Sequence, residues 1–169
     1  MTITSTLSPI DAGLAALAFS HGAILKLAEG ISDEQLTTRS GPKANHAAWI
    51  LGHLAYANDS FCIKLHGQES VLPENYKTLF GMGSTPTDDA ADYPSKAELL
   101  EALNKSHEFV VGWFKSLSDE QLASPLPEEM EMFGPNHASL ASTMVWHEGI
   151  HQGQLIEVRR ILGLPRAFG

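Results

Sequence analysis

A single cysteine in 169 residues, Cys62, rules out a disulfide within the chain, so packing alone must hold the fold, as is usual in a reducing compartment. No run of 18 uncharged apolar residues occurs, which excludes a membrane-spanning helix. The N-terminal stretch "MTITSTLSPIDAG" has no basic segment ahead of an apolar one and so does not read as a secretory signal; the expectation is a cytoplasmic protein. Positive charge is scarce as well. Eleven Lys plus Arg stand against twenty Asp plus Glu, a formal charge of -9, and such a surface repels the phosphates of DNA or RNA. Sustained period-2 alternation is also missing, which excludes a sheet beyond a stray strand pair near "PEEMEMF".

The residues that are present point to one domain over 1–169, 43% hydrophobic and 18% charged, built from four helices. The first, "SPIDAGLAALAFSHGAILKLAEGI", is expected to use Ser8 as N-cap with Pro9 at its first position. Being almost wholly apolar, it should be deeply buried. The second, "HAAWILGHLAYANDSFCIKLHG", takes Asn45 as its cap and stops at Gly67. Residues 68–94, rich in Gly, Pro, Asp, Ser and Thr, form a long crossover. Ser95 and Glu98 then make a capping box for the third helix, and the fourth runs over roughly 137–162, closed by Gly163 and Pro165. This is an all-α four-helix bundle. The crossover is long enough to make up-down-down-up topology as reasonable as up-down-up-down. "ISDEQL" followed by "NHA", and "LSDEQL" followed by "NHA", precede the second and fourth helices, a faint repeat that a duplication or shared capping chemistry can produce.

Eight histidines are the unusual content. "HEGIHQGQL" places His147 and His151 one helical turn apart, where two imidazoles can grip one ion. The string H-E-x-x-H is also the zinc helix of metalloproteases, with Glu148 as general base. One such family then turns its chain at a glycine to return a third His. Here Gln154 and Glu157 stand at those places, and on an unbroken helix Glu157 lies about 9 Å beyond His151. The protease reading is the weaker one. The better third ligand is His53, which Trp49, Tyr56 and Ala57 mark as facing the bundle interior.

Through "AAWILGHLAYAND" and "WHEGIHQGQLIEVRRILGLP" the chain resembles the DinB-like superfamily (DinB/YfiT type), and the resemblance extends across nearly all of it. It implies an up-down-down-up bundle, often a homodimer. It also implies a divalent metal, nickel or zinc among others, on His53, His147 and His151. Some branches of that family transfer or isomerise with a low-molecular-weight thiol, and many members have no known activity.

Three ligands leave a fourth position open, as in catalytic rather than structural zinc sites, which suits hydrolysis or thiol transfer on a small molecule. Tyr56 and Glu148 are the candidates for proton transfer, and Gln152 and Gln154 for orienting an imidazole. The other reading is a non-catalytic, stress-associated protein whose ion staples the bundle. Of the remaining histidines, His46 and His137 are expected to be solvated first-turn residues. His21 is expected to be a hydrogen-bonded core or interface residue, His66 a helix-end cation and His107 a surface group. Trp49, Trp113 and Trp146 are expected to anchor the core, and the greasy first helix adds to the expectation of a homodimer.

Overall fold

Helix starts in this chain are set by side chains that satisfy the first free backbone N–H groups. In the computed structural model, which describes Ser8 and residues 10–169 apart from the side chain of His66, six helices result. They are α1 (Asp11–Ala28), α2 (Ala47–His66), α3 (Tyr76–Phe80), α4 (Lys96–Ser116), α5 (Asp119–Ala123) and α6 (His137–Ile161). The expectations for Pro9 and for the His66 side chain lie outside the described residues.

The capping box of Ser95 with Glu98 opens α4, and Asn136 opens α6 by accepting from Ser139 N at 2.9 Å. Both "SDEQL" segments form the same capped turn, Ser32 with Gln35 and Ser118 with Gln121. Two starts differ from expectation. α1 begins at Asp11, whose carboxylate accepts from Ser8 N at 2.8 Å, so Ser8 is tied to the helix without capping it. The cap of α2 is His46 in place of Asn45: in extended conformation, its Nδ1 accepts from Trp49 N at 3.1 Å. Gly67 closes α2 at φ 59°, a left-handed turn that glycine adopts without strain. "PEEMEMF" is a 3-10 turn over Glu128–Phe133, and no strand exists among the described residues.

Cross-helix contacts fix the topology. α1 and α6 run parallel, since Gly13 abuts Ala141, Ser20 meets Gln152, and Leu27 O accepts from Arg159. α2 runs against α6, with Asn45 bonded to Gln154 and His53 beside His147. α4 runs against α1, for His21 meets Asn104 and Lys96 reaches Ile31 O beyond the end of α1. The order is up-down-down-up, and residues 67–95 carry the chain back so that α2 and α4 lie side by side in parallel.

Two apolar clusters hold the bundle. Ile24, Leu27, Leu51, Leu54, Phe80, Leu103 and Leu155 pack in one, and Leu17, Cys62, Val110, Phe114, Leu140 and Met144 in the other. Each fully buried side chain of this kind contributes about 1.5–3 kcal/mol. α1 is not deeply buried all round as expected: Ala12, Ala15, Ala16 and Phe19 face outward, because α6, its main neighbour, covers one side of it. Among the described residues no helix is long and apolar enough to cross a membrane.

The crossover is pinned to α2. Asp59 accepts from Ser70 Oγ and Val71 N, Trp49 Nε1 donates to Ser84 Oγ, and His46 Nε2 donates to Thr87 O. α3 sits directly on α2 because residue 52 is glycine. Any Cβ there would run into the Phe80 ring.

Candidate metal centre

His53 at the middle of α2 and His147 and His151 at the middle of α6 meet between the two apolar clusters. His147 Nε2 lies 3.2 Å from His53 Nε2 and 3.1 Å from His151 Nε2. For His53 and His151 the other ring nitrogen is already committed. His53 Nδ1–H donates to Phe80 O at 2.8 Å and His151 Nδ1–H to Gln154 Oε1 at 2.9 Å, which leaves the Nε2 lone pairs of both facing inward. Asn45 Nδ2 steadies Gln154 in turn, and the Trp49 ring stacks on His53 at 4.4 Å between centroids.

Burial keeps these imidazoles neutral. It pushes His147 down to about 4, with His53 adding to the effect, and His151 to about 4, with His147 and His53 adding and the Gln154 bond opposing. His53 is lowered by burial as well, against the pull of the Phe80 carbonyl. Neutral imidazole is the ligating form. A tetrahedral ion with bonds of about 2.0–2.1 Å holds its nitrogens about 3.3 Å apart, close to the His53–His147 and His147–His151 spacings, and all three donors lie within 4.8 Å of one another, so the donor set fits a divalent ion that favours nitrogen.

A cavity of about 200 Å³ opens beside His53 and His147, walled by Tyr56, Phe61, Phe133, Met144 and Trp146 among others. Hollows of about 510 Å³ under the crossover and 480 Å³ at the C-terminal end touch no triad histidine.

Of the candidate proton-transfer groups, Tyr56 lines this cavity and Glu148 does not. One position on from His147, Glu148 faces α1, and burial pushes its carboxyl up to about 7, with nearby Ser20 opposing the shift; neither carboxylate oxygen has a hydrogen-bond partner among the described residues. Gln152 also faces α1, donating to Ser20 Oγ at 2.7 Å, so only Gln154 orients an imidazole. α6 continues unbroken past Gln154, and Glu157 pairs with Arg160 in solvent. The chain turn that a protease arrangement needs is absent.

Several single-residue expectations are overturned. Trp146 is 67% exposed and lines the cavity mouth in place of anchoring the core, while Trp49 and Trp113 are buried as expected. His46 is fully buried, since the crossover covers it. His137 is half-buried and bonded to Ser124. His107 is no surface group. It stacks on buried His21 with centroids 3.9 Å apart and an interplanar angle of 10°. Sequence reasoning missed the Phe80 carbonyl, a backbone group with no residue signature. It also missed Ser60 and Lys64, which spacing alone places on the His53 face.

A family model described as the DinB superfamily matches residues 16–155. A conserved protein of Enterococcus faecalis superposes with a TM-score of 0.74 at 16% identity, covering 94% of this chain and 99% of that one. YfiT from Bacillus subtilis, described as a probable metal-dependent hydrolase with an unusual four-helix bundle topology, gives 0.63 at 20% identity, covering 98% and 95%. At these identities the likeness establishes the fold. No curated protein matches the sequence.

Proposed function

The chain belongs to the DinB superfamily, and we propose that it is a metal-dependent enzyme that hydrolyses a small molecule in the cavity beside its three histidines. The observation that carries this reading is the convergence of three neutral imidazoles on one point at the wall of a cavity. A divalent ion, zinc or nickel, held there supplies a Lewis acid. His151, 6% exposed, and the cavity-lining His53 and His147 would hold it. The Phe80 carbonyl and Gln154 keep Nε2 of His53 and His151 free of protons. Tyr56, which lines the cavity, would give a proton to a leaving atom, and the turn of Glu148 toward α1 supports Tyr56 over Glu148 in that role. Transfer of a low-molecular-weight thiol would use the same open side of the triad, and a purely structural ion fits less well beside an open cavity. The buried free Cys62 accords with a cytoplasmic setting.

Elemental analysis of untagged protein tests the metal. About one ion per chain is expected in the parent and none in a His53→Ala, His147→Ala, His151→Ala variant; a metal-free parent that takes up neither zinc nor nickel overturns the reading. A panel of small esters and amides, with and without added thiol, then separates hydrolysis from transfer.

The outward face of α1, with Phe19 80% exposed among Ala12, Ala15 and Ala16, and Ile150 and Ile156 on α6, supports a homodimer. Analytical ultracentrifugation should return about twice 18.3 kDa; a species of 18.3 kDa alone at micromolar concentration contradicts it.

A further inference from the structure

Four residues of α2 at helical spacing, His53, Tyr56, Ser60 and Lys64, line the cavity together, so one stripe leads from the triad to a lysine. By helix rise, Lys64 is about 16 Å along α2 from His53, and its flexible stem lets the ammonium fold back over the cavity. Between the two ends the walls are mostly apolar, broken by the hydroxyls of Tyr56, Ser60 and Thr143: Phe61 and Phe133 meet edge to face at 5.3 Å, and Met144 and Trp146 also line the cavity.

The charges here run against those of the molecule. In a chain of formal charge -9, no Asp or Glu lines this cavity, and Lys64 is its one permanent charge. Among the described residues no carboxylate lies within ion-pair distance of Lys64. An ammonium with no partner at the end of an apolar slot is complementary to an anion, and a cationic ligand would find nothing to pair with it.

We propose that the substrate is a small carboxylate with an apolar body, held so that its carboxylate pairs with Lys64 while its other end lies at the triad. This rests on the reading of the triad and cavity as the active site. Lys64 acts as a specificity residue, selecting for negative charge far from the reacting end.

Two probes of matched shape and different charge, 4-phenylbutyrate and 4-phenylbutanamide, test it. They are titrated by ligand-observed NMR into the full chain and its Lys64→Met and Lys64→Arg variants, each metal-free and zinc-loaded. Because Lys64 is exposed, both variants should melt like the parent. The metal-free parent should bind the acid about fivefold tighter than the amide, a preference kept by Lys64→Arg and lost in Lys64→Met. Equal binding of the two probes, failure of both to bind, or a preference that survives Lys64→Met overturns the proposal. Zinc content of the same samples reports on the triad separately. Zinc uptake without charge preference removes Lys64 and keeps the metal centre, whereas charge preference without zinc uptake does the reverse.

Discussion

An imidazole that ligates with one nitrogen is oriented by what its other nitrogen bonds. His53 has the Phe80 carbonyl, and His151 has Gln154, itself held by Asn45. The two supports differ in what mutation can reach. A backbone carbonyl cannot be deleted, but Gln154→Ala removes the side-chain support outright. That variant should fold normally, because Gln154 is only half-buried, yet bind zinc about 10–100-fold more weakly in competition with a chelator. Unchanged zinc affinity would show that Gln154 is not needed to orient His151. Gly52 works at the same scale by absence: without a Cβ it lets Phe80 close on α2 and bring its carbonyl to His53.

At the scale of elements, α6 serves two neighbours at once. His147 and His151 face α2, while Glu148 and Gln152, about 100° further round, face α1. The thinner contact of α1 with α4 carries the stacked His21–His107 pair. Burial pushes His107 down to about 4, with His21 adding to it; burial also lowers His21, against its bond to Asn104 and the charge of Glu108. Both side chains stay neutral in the folded protein at a pH where the unfolded chain, titrating near about 6.5, takes protons. Their contribution is therefore complete above about pH 6.5 and lost as the pH falls toward about 4. In metal-free protein the triad acts with the same sign, so the comparison must be differential. Between pH 6.5 and 4.5 the parent should lose on the order of 1–2 kcal/mol more stability in urea titrations than His107→Leu does. Parallel losses would exclude the pair as an acid-sensitive contact.

For the whole molecule, the decisive feature is that the histidine triad lies between two apolar clusters and is not itself the core. The bundle should therefore fold without an ion and gain stability when one binds. At free zinc about 100-fold above its dissociation constant the gain is about 2.7 kcal/mol, which for a domain of this size raises the melting temperature by roughly 5–10 °C. Scanning calorimetry should show that rise in the parent and none in the triple-histidine variant. A metal-free parent without a cooperative transition would instead mean that the ion holds the fold together.

The sequence by itself determined the helices and the candidate ligands they carry. Caps and apolar periodicity are local, so the four long helices, the crossover and the capping box of Ser95 were legible, and so were His147 and His151 by spacing and His53 by its core-facing neighbours. At the start of α2 the local pattern pointed to Asn45, and the cap is His46 because the crossover lies over it and holds its ring. Tertiary structure alone decided what each helix face meets. Trp146 is exposed, His107 stacked and Glu148 turned to α1 because of which neighbour covers which side of a helix, and periodicity shows a face without its partner. The same holds for direction. A long crossover permits either topology, and it is the contacts of α1 with α6 and of α2 with α4 that make this bundle up-down-down-up and bring His53 against His147.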